Sequence, residues 1–181
     1  MKKPFILQGI IDALYLFVAV LIAAFTGGIP VTIVRFFVQN NNLAEDITMT
    51  IVGLAIEIAI VFTLFYKKCY NDRGISLPEL LLPLAVAMPL HFLIALWNTF
   101  FPYTAGPFVT YGGTLIGTLM GIEGEHAMVT PLEVPIYIFV LLYLLKAAFV
   151  ITSIYLSYLY ARKRLDKERN ELLREKEERG Y

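Results

Sequence analysis

The sequence has a single cysteine, few charges outside its final stretch and none of the familiar catalytic signatures. With Cys69 alone, no intrachain disulfide is possible, so packing must hold the fold. Cys69 follows Lys67 and Lys68. It is expected to be an inert loop thiol, with a lipid-modified thiol beside a membrane as the alternative. Charged residues make up 17% of the chain, whereas a soluble domain carries about a quarter. Eight of the fifteen Lys and Arg, and six of the fifteen acids, fall between Arg162 and Arg179. What precedes them is poorer in charge than the average suggests. The net charge of zero is therefore uninformative about partners, and the mixed signs of the tail exclude a basic stripe suited to nucleic acid. There is no H-E-x-x-H, G-x-S-x-G or P-loop, and no Cys–His pair in a catalytic setting. The sequence thus gives no ground to expect an enzyme, and it names no catalytic residue, metal or cofactor. Internal repeats, Ser-rich linkers and low-complexity tracts are also missing.

What is present is apolar. Hydrophobic residues are 58% of the 181, enough for one domain, and the mean hydropathy is +0.68. A membrane-spanning helix needs about 20 mostly apolar residues, and four segments qualify. The first runs from Phe5 to Thr26, with Gly27-Gly28-Ile29-Pro30 as its expected stop. It opens like a secretory signal, but Asp12 interrupts it and its length suits a retained anchor. Residues 31–38 then read as a short interfacial helix holding Arg35. The second segment, Ile47 to Tyr66, has Asp46 placed as its N-cap. The third, Leu77 to Phe100, opens on the capping box Ser76-Leu77-Pro78-Glu79, and Pro83 and Pro89 should kink it. The fourth, Pro131 to Tyr160, opens on a second capping box, Thr130-Pro131-Leu132-Glu133. Its thirty residues span roughly 45 Å, more than the ~30 Å hydrocarbon core, so it should tilt or protrude. It runs without a breaker into residues 161–181, read as a charged, solvated helix with Arg164 and Glu168 four apart.

The fold class expected is an all-α integral membrane protein. Residues 1–160 form a four-transmembrane-helix bundle, and 161–181 form a cytoplasmic tail. Positive residues near membrane ends mark the cytoplasmic side. Lys2 and Lys3, then Lys67, Lys68 and Arg73, then the tail cations all share one side if there are four crossings. A fifth crossing through residues 101–125 would throw the tail outside. That segment also carries Pro102, Pro107 and several glycines, so it is expected to be re-entrant or packed on the surface. Gly113, Gly117 and Gly121 give it one smooth face, for helix packing or for lining a pore. Glu123, Glu125 and His126 lack a recognised ligand spacing and read as a solvated loop. Trp97, Phe100, Phe101 and Tyr103 read as an outer aromatic belt.

Four ionisable residues fall inside the expected spans: Asp12, Glu57, His91 and Lys146. A charged group at the bilayer centre costs about 2.5–3.5 kcal/mol on insertion scales, so it should face other helices and find a partner. Each helix has one polar or small face: Gln8, Asp12 and Ala19; Gly53 and Glu57; Ala87 and His91; Tyr143, Lys146 and Ser153. The faces are expected to converge, with Glu57 paired to Lys146. Two functional classes follow. In one, the protein is a component of a transporter or channel for a small solute or ion, working as a homo-oligomer or with other membrane subunits. In the other, it is a non-transporting scaffold that docks a partner through its cytoplasmic tail. In both, the lipid bilayer of the cell membrane is its surroundings.

Overall fold

The computed structural model describes residues 4–38, 42–100 and 136–179. Among these the chain is helical and no strand occurs. The helices are α1 (Phe5–Val38), α2 (Asn42–Asn71), α3 (Leu77–Leu81), α4 (Leu84–Phe100) and α5 (Ile136–Glu178). The segment 101–125, with Gly113, Gly117, Gly121, Glu123 and Glu125, lies outside the described residues, as do His126 and the Thr130 capping box.

Several boundaries differ from those expected. The glycine pair and Pro30 do not stop the first helix, because α1 continues for 34 residues with Pro30 inside. Proline removes one hydrogen bond, here to the Thr26 carbonyl, and the helix continues through the gap. Residues 31–38 are thus the last turns of α1 and no separate helix. Asp46 is not the cap of α2, which begins at Asn42. Leu43 and Ala44 are strong helix formers, and Glu45 and Asp46 suit the positive end of the helix dipole. At its other end α2 carries Lys67, Lys68 and Cys69 on its final turns. Cys69 is therefore not in a loop, and it is buried.

The third expected span is interrupted. Pro83, which has no N–H to continue α3, separates it from α4, whereas Pro89 is accommodated inside α4. The chain restarts through Val86 and Ala87, whose N–H groups both donate to the Pro83 carbonyl. Glu79 closes its capping box, accepting from the Ser76 N–H at 3.0 Å and the Ser76 hydroxyl at 2.9 Å. α5 is one helix of 43 residues, about 65 Å long, with no glycine or proline to break it.

The helices pack in the order α5, α2, α1, α4. α1 and α2 are antiparallel, since Asp12 near the start of α1 meets Lys68 near the end of α2. α2 and α5 run the same way, since Glu57 meets Lys146 and Tyr70 meets Glu168. α1 and α4 cross closely at Gly9. A Cβ placed there would stand 2.6 Å from the Val86 Cβ and 2.9 Å from the Pro83 carbonyl oxygen, so only glycine fits.

The core is largely apolar but also encloses polar and charged side chains. Asp12, Glu57, His91, Ser153 and Ser157 are buried, beside Ala19, Ala23, Phe65 and Ile154. The outer faces carry Ile6, Ile10, Leu14, Ile22, Leu141, Leu145, Phe149 and Leu156. Outward hydroxyls turn back on their own helix: Thr63 donates to the Ala59 carbonyl and Thr152 to the Ala148 carbonyl, both at 2.8 Å. That is how a hydroxyl is satisfied where water is scarce. Two helices, through Phe5–Ala23 and the segment from Tyr143, are long and apolar enough to cross a membrane.

Candidate functional site

On α2 every fourth residue from Gly53 to Cys69 is buried: Gly53, Glu57, Val61, Phe65 and Cys69. Residues four apart lie over one another on a helix, so this row forms the seam on which α1 and α5 pack. Glu57 is fully buried in it, and the Lys146 ammonium stands 3.0 Å from its Oε2. Oε1 meets no hydrogen-bond donor among the described residues. At the residue after Glu57, the Ser153 hydroxyl of α5 donates to the Ile58 carbonyl at 3.0 Å, fixing the rotation of α5 against α2.

Tyr143 lies one turn before Lys146 on α5. Its hydroxyl donates to the Met88 carbonyl at 2.7 Å and sits 3.3 Å from the His91 Nδ1. A phenol has one proton to donate. With that proton given to Met88, the imidazole Nδ1–H must be the donor in the second contact, which leaves Nε2 as an acceptor when the ring is neutral. The Phe92 ring, with its centroid 4.6 Å from that of Tyr143, holds the phenol in place. The Glu57–Lys146 pair and the His91–Tyr143 pair are thus neighbours, Tyr143 and Lys146 lying one turn apart on α5.

Asp12 is placed elsewhere. Its Oδ1 accepts from Lys68 at 2.6 Å and from the Gln8 amide at 3.0 Å, while Oδ2, also buried, has no partner among the described residues. Eleven residues of α2, about 16 Å, separate this pair from Glu57. Reasoning from the sequence overlooked Lys68 because it follows the apolar run and reads as a loop cation. The signal was there in the positions: Asp12 lies two turns into α1 and Lys68 one turn before the end of α2. Antiparallel packing brings such positions level.

A second set of contacts ties α5 to the end of α2. Arg162 donates to the Arg73 carbonyl at 3.2 Å and the Ile75 carbonyl at 2.5 Å. The Tyr70 hydroxyl donates to Glu168 at 2.8 Å, and Arg164 bridges Glu168 at 3.2 Å and the Tyr66 hydroxyl at 3.3 Å. The hydrogen bond from Tyr70 holds the Glu168 carboxyl below its usual range, and the same bond raises the Tyr70 phenol. Burial pushes the Cys69 thiol up to about 11, against the pull of Lys68 and Arg162. It is a packing residue, not a reactive one.

Among the described residues no group of three or more His, Cys, Asp and Glu is arranged to hold a metal. Chemically, the arrangement offers a neutralised ion pair and a hydrogen-bonded imidazole–phenol pair in a largely apolar interior. Comparison of the chain with protein-family models, curated proteins and solved structures finds no match. By fold it is an all-helical protein with two helices suited to a membrane.

Proposed function

We propose that the chain is a four-crossing protein of the cell membrane that moves a small solute or ion, as an oligomer or as one subunit of a transporter. Glu57, Lys146, His91 and Asp12 supply the polar side chains of the path. α2 and α4 cross in addition to α1 and α5, and both chain ends are cytoplasmic. This topology is supported by the start of α1, the end of α2, the turn at Asp72–Gly74 and the Arg162 region of α5 gathering at one end. That end collects Lys67, Lys68, Arg73 and Arg162, as the positive-inside bias requires.

The observation that carries the functional reading is the half-satisfied Glu57 carboxylate. A contact that merely glued helices would be cheaper as an apolar pair or as a fully bonded one. A buried carboxylate oxygen without a donor among the described residues, in a site with a lysine, a tyrosine and a histidine, suits a group that binds and releases a cation or a proton. The test is flux in proteoliposomes with a trapped pH or cation indicator under an imposed potential. Wild-type protein should dissipate the gradient at least tenfold faster than empty vesicles, and Glu57→Gln should abolish this. Wild-type vesicles no leakier than empty ones, for protons, sodium and potassium alike, would refute it.

The tail favours a second reading, that of a scaffold. Ala161 is the last buried residue of α5, and the helix continues for seventeen residues beyond it to Glu178. Truncation after Arg164 separates the two readings. Loss of function with normal insertion favours docking; retained function that is lost on Glu57→Gln favours transport.

A further inference from the structure

Beyond Ala161, α5 presents Arg162, Leu165, Arg169, Leu172 and Lys176 along one side. Their spacings are three, four, three and four. That is heptad spacing over two repeats, with leucine at one position and a cation at the other. Together with Arg73 from the turn after α2, these residues line a groove of about 390 Å³. Leu172 remains 56% exposed, and nothing among the described residues covers it. The tail's ion pairs do not neutralise the seam. Neither the Lys167–Glu171 pair nor the Arg179–Glu175 pair lines the groove; of the two acids that do, Asp166 and Glu168, Glu168 is engaged by Tyr70 and Arg164, and four cations, Arg73, Arg162, Arg169 and Lys176, outnumber them.

We infer that this face docks an acidic amphipathic helix of a partner protein, with leucine or isoleucine set against Leu165 and Leu172 and glutamate or aspartate set against Arg169 and Lys176. Charge and length select this occupant. A second copy of the chain in the same membrane would present its tail in parallel, bringing Arg169 against Arg169 and Lys176 against Lys176, which repels. A lipid headgroup layer is only about 5–8 Å deep on each side of the hydrocarbon. The stripe from Arg162 to Lys176 extends about 21 Å along the helix axis, so lipid reaches at most its first turn. The inference deepens the docking reading of the tail and is independent of transport: a failed flux assay leaves it standing, and a failed peptide titration leaves flux untouched.

The experiment uses the full-length protein in nanodiscs of neutral lipid. Two labelled three-heptad peptides are titrated, one with leucine and glutamate at the core positions and the other with leucine and lysine. The acidic peptide should bind saturably, at least tenfold more tightly than the basic one, and should weaken as salt is raised. The double variant Arg169→Glu/Lys176→Glu should reverse the preference, and Leu172→Ala should weaken binding several-fold. Protection of Cys69 from a maleimide reports that each variant keeps its fold. Equal binding of both peptides, or no effect of the double variant, overturns the inference. So does a dimer in light scattering that the double variant abolishes, since the second copy is then the occupant. Loss of retention on phosphatidylglycerol vesicles with peptide binding unchanged overturns it as well, in favour of lipid.

Discussion

Removing either partner of the Glu57–Lys146 pair should destabilise the protein far more than removing both. Glu57 is fully buried and the Lys146 side chain is 17% exposed, with 3.0 Å between their charged atoms. Stranding one charge of a buried pair costs about 3–5 kcal/mol, because the remaining ion keeps its desolvation penalty and loses its compensation. Lys146→Met should lie at the upper end of that range, because it strands the more deeply buried group. Glu57→Gln should lie nearer the lower end, because the lysine stem can carry its charge toward the exposed side. The double variant replaces two ions with a neutral amide and a thioether of similar bulk, and should lose only about 1–2 kcal/mol. The coupling energy is then about 4 kcal/mol or more. An ordinary hydrogen bond between membrane helices couples by about 0.6 kcal/mol and at most about 1.7, so the magnitude distinguishes an ion pair from a neutral contact. Unfolding by a denaturing detergent in mixed micelles, followed by far-ultraviolet circular dichroism, measures all four corners of the cycle. Losses that simply add would refute the pairing.

Other outcomes follow from the packing. Gly9→Ala should cost about 1–3 kcal/mol, because its methyl group meets the Pro83 carbonyl, a backbone atom that cannot step aside. Gly74→Ala, whose added carbon meets only the Asp72 Oδ1 at 3.9 Å, should leave the melting temperature nearly unchanged. Cys69 should react with a maleimide at pH 7.5 more than about tenfold more slowly in the folded protein than after denaturation, since the thiolate is the reactive form; equal rates would show the thiol to be exposed. The Tyr70–Glu168 clasp should hold the tail over a defined pH window. Glu168 is lowered, so its contribution is present above the ordinary carboxylate pKa and is lost as pH falls through the lowered value. Tyr70 is raised, so its contribution is present below the ordinary phenol pKa and is lost as pH rises through the raised value. The positive charges of Arg164 and Arg73 face the same carboxylate and add to its lowering. Limited proteolysis after Arg169 should therefore be slow at neutral pH, faster at both extremes, and faster at neutral pH in Tyr70→Phe.

The sequence alone was enough to determine an apolar, all-helical chain, the helical continuation into the charged tail, and the rows of polar side chains that had to turn inward. These follow from local physics. Helical periodicity assigns residues to faces, and the cost of a charge among apolar side chains forbids it to stay unpartnered. Opposite charge and similar depth also brought Glu57 and Lys146 into consideration as a pair. Only the tertiary structure decided that Asp12 belongs to Lys68, that Tyr143 pairs with His91 one turn from Lys146, and that Cys69 closes the α2 seam. It also decided that Gly27, Gly28 and Pro30 leave α1 unbroken while Pro83 splits α3 from α4. Such outcomes depend on which helix lies beside which, at what rotation and height, and on whether a neighbour compensates a lost backbone bond. Those quantities arise from contacts between residues far apart in the chain, and no pattern read along one helix contains them.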